Sequence, residues 1–191
     1  MLRKALLSLM ILAPLSNVSA SGIDLRLGSK TAEIVYLTES ATFGYGGADI
    51  GFGLFFNEAD DFVASGSVLV SGSSAGDVRA LHFGVGAKAY FGSIDVQPEN
   101  LEGGALAIGG QVRYVFPAST PLAILGELFI APSVTSVSDF EGISEYRLAL
   151  ELEVTPSARA YIGYRQLKVE VDNNVKLKLD DRAHVGVRFS F

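Results

Sequence analysis

The residues that could do chemistry are few. His82 and His184 are the two histidines of the 191-residue chain, and cysteine is absent. Thiol catalysis, disulfides and Cys-ligated zinc are therefore excluded, and a His-rich metal site lacks ligands. A hydrolytic triad can be drawn from Ser144, His184 and Glu145. Nucleophile, base and acid would have to converge within hydrogen-bond reach. In an extended chain the neighbours Ser144 and Glu145 point to opposite faces, so the triad does not assemble. His82 is expected inward at mid-strand and His184 near the outer end of the last strand. Gly44-Tyr45-Gly46-Gly47 and Gly84-Val85-Gly86 look superficially like phosphate loops. No helical pattern follows either, so no helix N-terminus is there to take an anion. No catalytic, cofactor or metal site is expected.

What remains is charge at a spacing of two. Asp49, Lys88, Arg113, Glu127, Glu145, Arg147, Glu151, Glu153, Arg165 and Arg188 each fall on the polar face of an alternating segment. Buried charges are costly unless paired, so acids on one strand should meet bases on its neighbours. Glu151 and Glu153 are expected one strand from Arg165, with Arg188 beside it. Such a set makes a salt-bridged plug, or else a charge-lined pore or binding pocket.

The elements that must carry these charges are strands. In the last, Ala183, Val185, Val187, Phe189 and Phe191 share one face, against His184, Gly186, Arg188 and Ser190 on the other. In 142–154, Tyr146, Leu148, Leu150, Leu152 and Val154 oppose Glu145, Arg147, Ala149, Glu151 and Glu153. Charges on a helix face would recur every three or four residues; these recur at two. The same rule holds in 45–56, 61–71, 78–91, 104–116 and 121–131. The run 158–171 changes parity near Gln166, which predicts a bulge or a rise beyond the bilayer. One apolar and one polar face at this strand length is the membrane-barrel pattern.

Turn signals separate the segments and alternate in character. Those at 72–77, 117–120 and 155–157 are small and nearly uncharged, whereas 57–60, 94–103 and 131–141 are more acidic. Asp172-Asn173-Asn174 closes a further hairpin. Eight strands count back to Tyr45, and 22–28 and 31–39 add two more around Gly28-Ser29-Lys30. Ten strands are expected, the alternative being eight with an N-terminal plug or periplasmic segment. A soluble lipocalin-type barrel would reverse the faces. Against it stands the C-terminal series Val185, Val187, Phe189 and Phe191, which has the form of a barrel-assembly signal, and a polar face crowded with glycine and charges of both signs.

The opening MLRKALLSLMILAPLSNVSA has Arg3 and Lys4, an apolar run from Ala5 to Leu15, and Val18-Ser19-Ala20. It reads as a secretory signal cleaved after Ala20, leaving 21–191 as the barrel domain. The apolar run is shorter than the ~20 residues a spanning helix needs, so a closed barrel is the route into a membrane. A formal charge of -6 and 21 glycines argue against nucleic acid and for a curved β protein. The expected partners are outer-membrane lipids and lipopolysaccharide, with the secretion translocon and barrel-assembly machinery during biogenesis. The barrel is expected to act as a monomer.

Several stretches resemble the YfaZ family of proteobacterial outer-membrane proteins. They are Gly84-Val85-Gly86-Ala87-Lys88-Ala89-Tyr90-Phe91-Gly92, Gly109-Gly110-Gln111-Val112-Arg113-Tyr114, Gly126-Glu127-Leu128-Phe129-Ile130-Ala131-Pro132, Tyr161-Ile162-Gly163-Tyr164-Arg165 and the end from His184 to Phe191. The resemblance implies an outer-membrane location and a small barrel, and no activity. The expected function is structural or interaction-based, with a closed or very narrow charged lumen. A small passive channel is the alternative, and a lipid-modifying enzyme a distant third.

Overall fold

The computed structural model describes residues 21–40, 48–73, 80–96, 99–117, 121–171 and 175–191. The expected signal at 1–20, the glycines at 44–47, and most of the turns at 72–77, 117–120 and 172–174 lie outside these residues.

Each alternating segment becomes a strand, because a period of two places all its apolar side chains on one side of the pleat. In chain order these are β1 (Ser21–Gly28), β2 (Thr31–Ser40), β3 (Ala48–Asn57), β4 (Phe62–Ser73), β5 (Leu81–Val96), β6 (Glu99–Val115), β7 (Leu122–Ala131), β8 (Ser136–Ser138), β9 (Phe140–Thr155), β10 (Ala158–Val171) and β11 (Val175–Ser190). Among the described residues, β1 to β7 and β9 to β11 form a closed antiparallel ring of ten, with β8 a three-residue strip paired to β6 outside it. The N-terminal segments are thus ring strands. The seam joins first and last strands, with Leu25 opposite Val187. Ser21 and Phe191 exchange backbone hydrogen bonds of 3.0 and 2.8 Å at its end. Closure leaves no unpaired ladder, the condition for a sheet to stand in lipid.

Apolar side chains face outward along the ring strands, from Leu106 to Tyr114 on β6 and from Tyr146 to Val154 on β9, a membrane-crossing length. Val185 and Ile162 are more than half exposed there. Aromatic residues edge the band: Tyr146 and Tyr164 lie 6.3 Å apart on one side, and Tyr114 meets Phe116 at 5.3 Å on the other. Such girdles mark the two membrane–water boundaries.

Ser21 and Phe191, the first and last described residues, lie at one end of the barrel, and the hairpins β1–β2, β3–β4, β5–β6 and β10–β11 lie at the other, the far end. Near the far end the polarity of the wall inverts. On β10 the outward positions become Gln166, Lys168 and Glu170, while Leu167, Val169 and Val171 point inward and are buried. The pleat of β10 keeps its phase, so the parity change near Gln166 corresponds to the expected rise beyond the bilayer rather than to a bulge in β10 itself. The bulge sits on the partner strand, where Leu167 faces Asp180, Lys168 faces Lys178, and Leu179 is the extra residue. Beyond the lipid band the outer face meets water, so apolar side chains are stable only inside.

The same inversion explains why 94–103 is not the expected loop. β5 runs on to Val96 and β6 starts at Glu99, with Asn100 and Glu102 exposed. Within the wall, Gly86 of β5 and Gly109 of β6 face each other. A Cβ at either would overlap neighbouring backbone, at Val68 and Leu128 respectively, so glycine is required at this close approach of strands.

Candidate functional site

The interior has three layers along the barrel axis. At the far end, one apolar cluster takes side chains from eight of the ten ring strands, including Phe55, Ile94, Phe129, Phe140, Leu167 and Leu179. It closes the lumen as the core of a soluble barrel would.

Below it lies a belt of charge. Arg165 of β10 donates to Glu145 at 2.7 Å, lies 3.2 Å from Glu33 and sits over the Phe55 ring. Glu145 also accepts from Lys88 at 2.7 Å and from the Tyr90 hydroxyl. Arg26 links Glu33 at 2.7 Å to Asp24 at 3.1 Å. Asp24 in turn accepts from Arg188 at 2.7 Å and from Tyr161. Two further pairs join Arg113 to Glu151 at 2.7 Å and Arg147 to Glu127. The Arg147 guanidinium also packs 5.6 Å from the Tyr161 ring. Ion pairs in a low-dielectric interior hold together only when their remaining polar atoms are also satisfied. Arg165, Glu145, Arg26 and Asp24 have second and third partners, whereas the Arg147 guanidinium nitrogens and one Asp180 carboxylate oxygen make no hydrogen bond among the described residues.

The partners differ in part from those expected. Glu127–Arg147 is a facing pair on adjacent strands. Glu151, however, is taken by Arg113 of β6, across β7, and Arg165 by Glu145 and Glu33. Inward side chains in a narrow tube converge on its axis, so long ones reach past their ladder neighbours. Glu153 is a rim residue, 4.0 Å from Arg159. Asp49 takes a hydrogen bond from Ser71 and has no ion pair among the described residues. His82 is not at mid-strand: it is the second residue of β5 and lies 3.0 Å from Ser73. His184 is buried beside Tyr161, with neither ring nitrogen hydrogen-bonded among the described residues. Glu145 is held in the belt while Ser144 points out, so the drawn triad is absent.

Asp24, Arg26, Glu33 and Asp180 were not among the expected lumen charges, although all four are buried. The signal for the first two was present, since they alternate with Ile23, Leu25 and Leu27. Asp180 was hidden by the bulge at Leu179, which shifts the phase of β11 there.

At the end carrying Ser21 and Phe191 the interior opens into a cavity of about 410 Å³. One wall is built from short residues: Gly51, Gly53, Ser65 and Ser67 on β3 and β4. The belt forms its floor, through Arg26, Lys88 and Glu127. The cavity is therefore blind, with a charged floor and a lining that also includes Leu37, Leu69 and Phe83, and is entered from the end that carries Ser21 and Ser190.

A family model described as YfaZ precursor matches residues 2–191. No curated protein matches the chain. Two solved structures similar to it are KdgM porin and KdgM porin in complex with disordered oligogalacturonate. Each is 11% identical, with a TM-score of 0.44, and the match covers 90% of this chain and 99% of the other. The family match and the apolar belt around a closed barrel fit an outer-membrane location.

Proposed function

The chain belongs to the YfaZ family, and for it we propose a non-conducting outer-membrane barrel with a structural or binding role, whose lumen is a blind pocket. The observation that carries this reading is the apolar layer at the far end. Leu167 and Val169 are completely buried there, packed in one cluster with Phe55, Ile94 and Phe140 from other walls. A conducting pore needs a continuous aqueous path, and ten strands leave little room once such side chains fill the ring. With Ser21 and Phe191 on the periplasmic side, the pocket opens to the periplasm and the acidic turns face the exterior.

Outer-membrane lipid and lipopolysaccharide surround the barrel, which acts as a monomer after delivery by the translocon and assembly machinery. We assign it no enzymatic role.

The test is single-channel recording on the mature protein refolded into a planar bilayer. Silence from barrels shown to be folded by heat-shifted gel migration is the expected result. Steady currents altered by Arg113→Gln or Glu127→Gln would replace this reading with a passive channel.

A further inference from the structure

Two like-charged pairs border the cavity at its open end. Glu39 of β2 stands directly opposite Asp49 of β3, and Arg159 of β10 directly opposite Arg188 of β11. All four residues line the cavity. Like charges facing each other across a ladder are destabilising, and elsewhere in this lumen such contacts are offset by counter-charges. Arg147 also faces Arg165, for example, but Glu127 and Glu145 hold their guanidinium groups.

Among the described residues the offset at the mouth is incomplete. Arg188 is engaged by Asp24, but the ion-pair partner of Arg159 among these residues is Glu153 at 4.0 Å, both side chains about one-third exposed. Glu39 and Asp49 have no ion pair among the described residues. The strand between the two pairs is β1, which contributes Ser21 and Gly22 to the cavity at this rim, neither with a charged side chain. Positive and negative charge are thus held apart around a space of about 410 Å³. Ligand pockets typically run from about 300 to 1,000 Å³.

From this arrangement we infer that the cavity binds a small zwitterion, its anionic group on Arg159 and Arg188 and its ammonium group on Glu39 and Asp49. A planar guanidinium fork suits a carboxylate or phosphate, and paired carboxylates suit an ammonium with its three donors. One dipolar molecule answers both unbalanced pairs, whereas a simple anion or cation leaves one pair as it was. The inference rests on the proposed blind pocket, which keeps the ligand from passing through.

The experiment is calorimetric titration of the refolded protein in a non-ionic detergent. The probes are glycine, 5-aminopentanoate and phosphoethanolamine, with pentanoate and pentylammonium as single-charge controls. At least one zwitterion should bind about tenfold more tightly than either control. A preference for phosphoethanolamine would identify a lipid headgroup as the source, and a preference for an amino acid a free solute. Arg159→Gln and Glu39→Gln should each weaken binding about tenfold while leaving the melting midpoint unchanged or raised, since each relieves a like-charge contact. Equal binding of the controls, no binding by any probe, or full affinity in both variants would overturn the inference. Conductance of the same preparation separates the outcomes: a silent barrel that binds nothing refutes only the ligand, whereas a conducting one refutes the blind pocket.

Discussion

Arg165 of β10 and Glu33 of β2, 3.2 Å apart, are tied across the lumen by a contact that skips β11 and β1. The same guanidinium holds Glu145 of β9, so one side chain couples three walls. A closed barrel held only by its ladders could flex in cross-section. Ties through the interior fix its shape.

Removing that tie should therefore cost far more than removing a surface ion pair. Arg165→Met leaves Glu33 and Glu145 buried with less counter-charge, and we expect a loss of about 3–5 kcal/mol. Arg165→Lys should recover part of it, because a single ammonium cannot serve both carboxylates as a fork does. Urea unfolding in lipid vesicles reads the difference, and an unchanged midpoint for Arg165→Met would show the belt to be dispensable.

The inversion of polarity along the barrel predicts opposite sensitivities on β10. Leu167→Ala empties part of the far-end core and should cost about 2–5 kcal/mol. Ile162→Ala faces lipid, which fills the space, and should cost less than about 1 kcal/mol. Ile162→Arg, by contrast, should cost about 2–4 kcal/mol if that position lies near the bilayer midplane. Similar losses for Leu167→Ala and Ile162→Ala would contradict the inside-out arrangement.

Gly186 of β11 faces Tyr161 of β10, whose ring covers it while the hydroxyl donates to Asp24. A Cβ at 186 would overlap that ring. Gly186→Val should accordingly lower the yield of heat-modifiable folded protein, and Tyr161→Ala in the same chain should restore part of it. A double variant no better folded than Gly186→Val would separate the two residues.

The closing seam supplies a fourth test. Val185, Phe189 and Phe191 face outward, and Phe191 exchanges two backbone bonds with Ser21. Deleting 189–191 removes the last registered pairs with β1. Insertion into vesicles, followed as folded band against time, should slow by about tenfold or more, at a seam cost above about 1.4 kcal/mol. An unchanged rate would show that the C-terminal series plays no part in closure.

Most of this architecture was legible because alternation is a local property. Val185, Val187 and Phe189 against Gly186 and Arg188 give a strand and its faces without reference to any other segment, and the apolar face outward follows from the charges opposite. Strand number was less legible: β1 carries only Ile23, Leu25 and Leu27 on its apolar face, and its place beside β11 is a pairing across the whole chain. The far-end inversion on β10 resembled a phase change, because residue types alone do not tell whether the pleat moved or the solvent did.

By itself, then, the sequence determined the fold class, the face of most strand positions and part of the set of charges that point inward. These depend on a period of two and on the cost of exposing apolar groups to water or charges to lipid. Only the tertiary structure decided which charges meet, because partnership in a tube depends on register, tilt and side-chain reach toward a common axis. It decided as well that Glu39 and Asp49 stand together, that Arg159 and Arg188 do likewise, and that a cavity lies between them. No segment contains that relation, because it arises only when the ring closes.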